Sequence, residues 1–140
     1  MAALGIPKTI LLQIVTPERS VVSTQADEVM LPGVEGYLGA LPGHTPLLTS
    51  LKIGEIKYRI GTTVRYLAVS WGFAEILPDR ITVLADIAET GDEIDVDGAR
   101  REKEQAEKRL KSPDADFLSV QVALEQALVR LQVAAKSGRG

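Results

Sequence analysis

A chain of 140 residues, 45% apolar and 25% charged, fits one ordinary globular domain or a small domain with an appendage, and it excludes two complete enzyme domains. The formal net charge of −3 gives no global attraction to nucleic acid or acidic lipid, so such a partner must be met locally. With no cysteine there is no disulfide, thiolate nucleophile or Cys-based metal site, which suits a reducing compartment.

The start, Met1 to Lys8, has neither a basic n-region nor a long apolar h-region, and Pro7 interrupts it, so no signal peptide is expected. Nowhere do about 18 uncharged apolar residues run together; membrane attachment is expected only through another protein. From Lys8 to about Ala88 short β runs alternate with turn signals. Thr9 to Val15 stops at Pro17, Asp27 to Leu31 stops at Pro32-Gly33, and Lys52-Ile53 reaches Gly54. Glu55 to Ile60 alternates cleanly, placing Ile56, Tyr58 and Ile60 on one face. Gly61-Thr62-Thr63 then leads into Val64 to Val69, an antiparallel hairpin. Phe73 to Leu77 and Ile81 to Ala85 flank Pro78-Asp79-Arg80 as a second hairpin. Trp71 before Gly72-Phe73 reads as core packing at a bend, with an exposed interface anchor as the alternative. Many short strands at this spacing predict an N-terminal antiparallel β-sandwich, or flattened barrel.

Near Glu89-Thr90-Gly91-Asp92 the period changes from two toward 3.6, dividing the chain into residues 1–90 and 91–140. A first helix over Val96 to Lys111 can be capped by Asp95; its stripe of Ala99, Ala106 and Leu110 is thin. Ser112-Pro113-Asp114 breaks it, and a second helix from Phe117 to Ala135 carries Phe117, Val120, Leu124, Leu128 and Leu131 along one stripe. The mainly β chain thus ends in a two-helix antiparallel hairpin. Two helices bury too little apolar area to offset their own ordering entropy, so the hairpin must lean on the β body or on a partner. Permanent docking and exchange between two resting places both satisfy that need.

Chemistry-bearing motifs are mostly missing. Gly33 to Gly39 is glycine-rich, but no Gly-Lys-Ser/Thr closes a phosphate loop, and such glycines serve bulges and close backbone approach. His44, the single histidine, lacks partners for a zinc site, and no Gly-x-Ser-x-Gly elbow supports a hydrolase built around it. Neither a metal nor a cofactor is expected. The basic cluster Arg100, Arg101, Lys103, Lys108, Arg109 and Lys111 interleaves with Glu102, Glu104 and Glu107, which dilute its field and set nucleic acid aside. A solvated helix face and a surface for an acidic protein patch remain.

The run Leu31-Pro32-Gly33-Val34-Glu35-Gly36-Tyr37-Leu38-Gly39-Ala40-Leu41-Pro42-Gly43-His44-Thr45-Pro46-Leu47-Leu48-Thr49 closely resembles the signature of F-type ATP synthase epsilon subunits. Gly72 to Ile76, Ile81 to Asp86 and the helical hairpin resemble the rest of that family in order. The resemblance implies a non-catalytic rotor subunit on the cytoplasmic face of a bacterial inner membrane, peripheral to it. Its β-sandwich would sit beside the gamma subunit and on the c-ring, and its hairpin would restrain ATP hydrolysis by reaching the alpha/beta catalytic head. It further implies c-ring contact through Glu35, Gly36 and Tyr37, gamma contact through His44, Thr45 and Pro46, and inhibitory contact with the beta subunit through Lys103, Lys108, Arg109 and Arg130. Tyr37 departs from relatives that carry a carboxylate there. Some relatives bind ATP through an Ile/Leu-Asp-x-x-Arg-Ala motif; here Ile94, Asp95, Gly98 and Ala99 stand at its positions, with glycine for arginine, so ATP sensing is expected to be weak or absent. The alternative is a free-standing β-sandwich nucleotide sensor.

Overall fold

A computed structural model describes residues 5–139, so the reading of Met1 to Leu4 lies outside the described residues. Eight strands, β1 (Ile10–Val15), β2 (Ser20–Ala26), β3 (Glu28–Gly33), β4 (Gly36–Ala40), β5 (Leu47–Leu51), β6 (Gly54–Ile60), β7 (Thr63–Ile76) and β8 (Arg80–Thr90), build the β body. Their hydrogen bonding runs β2-β1-β8-β7-β5-β3-β4, with β6 joined to both β3 and β7. The pairing is antiparallel, as expected, with one parallel pair between β1 and β8. Antiparallel neighbours can be joined by tight turns, but these two lie at opposite ends of the β region, and a long connection permits either direction.

Both expected hairpins form. Ile60 pairs with Thr63 around Gly61, whose φ of 60° is the left-handed conformation a two-residue turn requires. Leu77 and Arg80 exchange backbone hydrogen bonds of 2.8 and 3.4 Å around Pro78-Asp79. Burial on the Ile56 face fades toward the hairpin tip: Ile56 is buried, Tyr58 half-buried and Ile60 exposed. Lys52-Ile53 is the break between β5 and β6 rather than a strand of its own. The polar β2 and the glycine-rich β4 carry no alternation strong enough to be read from sequence.

Residues 63–76 form one strand, not two. Leu67 and Val69 point into the core, as do Ala74 and Ile76, so the inward phase changes between them. In β8 the same change separates Ile81, Val83 and Ala85 from Ala88. Trp71 (φ 54°) and Gly72 (φ 141°) make the turn in β7. A Cβ on Gly72 would overlap the Leu84 carbonyl, so this position requires glycine. The bend therefore stands as expected, but it turns Trp71 outward to 40% exposure, correcting its placement in the core.

The main core is aliphatic: Ile10, Leu12 and Ile14 of β1 meet Val29, Leu31, Ile56, Ile76, Ile81 and Val83, all without exposed surface. Truncating one of them to alanine costs about 2–5 kcal/mol. After a 3-10 turn at Gly91–Glu93 come α1 (Val96–Leu110) and α2 (Phe117–Lys136). The Asp95 carboxylate caps α1 by accepting from Gly98 N at 3.0 Å. Ala99 and Ala106 are buried as read, but the α2 stripe is corrected: Val120, Ala127, Val133 and Ala134 are buried, whereas Phe117 and Leu128 are exposed. Small residues let the helices approach each other and the sheet closely; of the expected stripe Val120 is buried and Leu124 and Leu131 are half-buried, while Phe117 and Leu128 face outward.

Candidate interaction surfaces

The hairpin rests on β7 through a small apolar cluster of Ala68, Ile94, Val133 and Ala134, edged by Tyr66, Val96 and Val129. Polar links surround it. Arg130 makes a two-pronged contact with Glu89, Nε to Oε1 at 2.8 Å and Nη2 to Oε2 at 3.2 Å, and Nη1 lies 3.4 Å from Glu102 of α1. Gln126 donates to the buried Ser70 hydroxyl at 3.2 Å. Lys136 Nζ donates to one Glu55 oxygen at 3.1 Å, lies 3.0 Å from the other, and stands 5.6 Å above the Tyr66 ring. A cavity of about 240 Å³ remains between the two units, lined in part by Ser70, Glu89, Glu102, Gln126 and Arg130.

At the connection, Thr90 N donates to Glu93 at 2.9 Å, and Glu93 pairs with Arg19. Burial works against the charged form of Glu93, but the Thr90 N–H and the Arg19 guanidinium outweigh it and hold its carboxyl below the usual range. From the other side, Arg139 Nη1 donates to the carbonyls of Gly91 at 3.0 Å and Ile94 at 2.7 Å.

The sequence-derived candidates fall in separate places. Glu35 is exposed in the β3–β4 turn, Gly36 adopts φ 134°, and exposed Tyr37 turns its hydroxyl to accept from Glu55 N at 2.9 Å with Lys52 Nζ 5.7 Å over its ring. His44 is half-buried; its Nδ1 donates to the Thr45 carbonyl, while Thr45 and Pro46 are exposed. Lys108 and Arg109 are exposed on α1 and Lys103 is half-buried, whereas Arg130 is drawn into the contact with Glu89. Ile94 and Ala99 are buried, Asp95 is occupied as a cap, and a side chain at Gly98 would run into the Asp95 carboxylate. Glycine there thus gives the cap room, a reason the sequence pattern alone did not disclose. Among the described residues no group of three or more His, Cys, Asp or Glu is placed to hold a metal ion.

One surface escaped the sequence reading. Ser50 pairs with Phe73, Phe73 with Leu84, and Leu84 with Val15, forming a row across four strands. On its outer face Phe73 is 56% and Leu84 55% exposed, and Leu48, one diagonal step away, is 70% exposed. Pro17, Phe73 and Leu84 border a shallow cleft of about 300 Å³ beside this row. Phe73 and Leu84 alternate correctly with the inward residues, so the signal lay in apolar residues occupying the outward phase. This exposed apolar row is a candidate interaction surface.

An eight-stranded β-sandwich followed by a helical pair, seated on it by a small apolar cluster and the polar contacts around it, defines the class of protein. The comparisons agree with that class. Residues 9–91 match the beta-sandwich domain of the ATP synthase delta/epsilon chain, and residues 92–135 match its long alpha-helix domain. The ATP synthase epsilon chain 2 of Syntrophotalea carbinolica is 48% identical over 132 residues, covering 92% of this chain and 96% of its own. The epsilon chain of Syntrophobacter fumaroxidans is 48% identical over 128 residues, covering 90% and 96%. A chain in a cryo-EM structure of the Euglena gracilis mitochondrial ATP synthase superposes with a TM-score of 0.81 at 23% identity, covering 94% of this chain and 84% of that one. The chain belongs to the ATP synthase epsilon-chain family.

Proposed function

We propose that this chain is a non-catalytic central-stalk subunit of an F-type ATP synthase, coupling proton translocation to ATP synthesis and restraining ATP hydrolysis through its helices. The observation that carries the reading is the division of labour along β7 and β8. One end presents the exposed apolar row of Phe73 and Leu84; the other seats the hairpin at Ala68, Ser70 and Glu89. Residues 1–90 then act as the rotor-docking unit and residues 91–140 as the regulatory unit. The gamma subunit takes the apolar row together with the adjoining His44, Thr45 and Pro46 loop. The c-ring meets Glu35, Gly36 and Tyr37, with the Tyr37 hydroxyl held by Glu55 N.

Among the described residues no helix is long and apolar enough to cross a membrane, and this reading places the subunit on the cytoplasmic face of the bacterial inner membrane through its partners. In an extended hairpin, Lys103, Lys108, Arg109 and a released Arg130 face an acidic segment of the beta subunit. Deleting residues 92–140 and comparing ATP synthesis with hydrolysis in reconstituted membranes tests the proposal. Hydrolysis should rise while synthesis survives and the β body still copurifies with gamma. Unchanged hydrolysis confines the helices to assembly, and loss of copurification with the β body intact overturns the rotor role.

A further inference from the structure

The last residues of the chain fold back onto the connection between its two units. Gly138, at φ 83°, ends α2 and lets Arg139 N donate to Ala134 O at 2.8 Å. This turn aims the Arg139 side chain at the carbonyls of Gly91 and Ile94, to which it donates at 3.0 and 2.7 Å. Beside it Ser137 packs so closely on Gly91 that a Cβ there would overlap the Ser137 side chain. Lys136 adds its ion pair with the mostly buried carboxylate of Glu55.

The connecting segment is gripped from two sides, and the grips differ in kind. Arg19, which binds Glu93, belongs to the β body and stays with it wherever the hairpin goes. Arg139 and Ser137 belong to the end of α2 and leave with it. Asp95 caps α1 from within the hairpin, so that helix stays closed through any such motion. Ile94, whose carbonyl Arg139 holds, and Asp95 next to it both have extended backbone.

We infer that the C-terminal turn, Lys136 to Arg139, is a lock on the hinge: Arg139 and Ser137 hold the hairpin in its docked position, and the hinge at Ile94-Asp95 opens only when they let go. The lock is a property of the isolated chain; its regulatory meaning rests on the rotor-subunit reading. Charge-assisted hydrogen bonds to two backbone carbonyls, in a partly buried site, make Arg139→Gln shift the docked-to-undocked ratio by about tenfold.

The absence of native cysteine permits a direct test in the full chain. Thr62→Cys in the β6–β7 turn and Lys111→Cys at the end of α1 are both exposed positions for a pair of spin labels. The unaltered lock should give one narrow distance distribution. Arg139→Gln, and separately removal of residues 137–140, should each add a second, displaced population, while far-UV circular dichroism and the melting of the β body stay constant. Gly91→Ala should do the same by collision with Ser137, and Gly91→Ala combined with Ser137→Gly should restore docking. A distribution unchanged in both the Arg139→Gln and the truncated chains overturns the lock. That result leaves the rotor role standing, because copurification with gamma tests the latter separately.

Discussion

Replacing Arg130 with methionine should release the hairpin while keeping the apolar stem that covers the interface. At 2.8 Å and an effective dielectric constant of about 20, the Arg130–Glu89 attraction is roughly 6 kcal/mol before desolvation is subtracted. The two side chains are 19% and 26% exposed, between the solvated pairs that yield about 0.2–1 kcal/mol and the buried ones whose disruption costs about 3–5. The neighbouring cavity of about 240 Å³ lets water reach the abandoned Glu89 and draws the loss toward the middle, at about 2 kcal/mol. That is roughly a 30-fold change in the docked-to-undocked ratio. Ala134, buried between α2 and the β body, can be changed to cysteine as a thiol probe that reacts only when the helix lifts. In the Ala134→Cys background, Arg130→Met should raise the labelling rate by about that factor, and Glu89→Gln should act in the same direction. An acceleration below about threefold in both variants would mean the pair behaves as an exposed one, and the latch assigned to it would be wrong.

Gly72→Ala should destabilise the β body by at least about 3 kcal/mol, read from urea denaturation, because it combines a forbidden φ with overlap on the Leu84 carbonyl. A loss of unfolding free energy smaller than this would show that the two strands can slide apart at little cost. Because the Glu93 carboxyl is held low in the folded chain, its contribution is complete above the unfolded value near 4.5 and disappears as pH falls through the lower folded value. Glu93→Gln should accordingly flatten the acid limb of the melting temperature below about pH 4.5 and leave the neutral region nearly parallel to the original. Phe73→Glu should weaken copurification with gamma at least about tenfold without changing the melting of the isolated chain, since it places an unpaired charge in the centre of the apolar row. Calorimetric titration with ATP should show no micromolar binding, given glycine in place of arginine at position 98 of the motif.

What could be read from the sequence followed the strength of the local signal. Glu55 to Ile60 alternates without interruption, and its hairpin partner and turn formed as expected. Ser20–Ala26 and Gly36–Ala40 lack such alternation, because an edge strand and a glycine-rich strand need little of it, and they were not legible. Trp71 was misplaced because burial follows from side-chain phase, and that phase turns on a positive φ at a non-glycine residue, which composition does not encode. Phe117 and Leu128 satisfied the helical period yet lie exposed, since the period identifies a stripe but not what covers it. For the surfaces, motif resemblance pointed to the loops, whereas the Phe73–Leu84 row and the Arg130–Glu89 contact depend on pairings between distant segments.

The bend at Trp71-Gly72 divides β7 and β8 without cutting either, so their ladder continues from Ile76–Ile81 to Leu67–Thr90. A flexible loop between the apolar row and the hairpin seat would dissipate a push as local motion. Here both are mounted on the same stiff pair of strands, and the glycine that shapes the corner leaves no slack for a larger residue. Phe73 and Ala68 are thus borne by one pair of strands with its corner filled, not by two pieces joined through a loop.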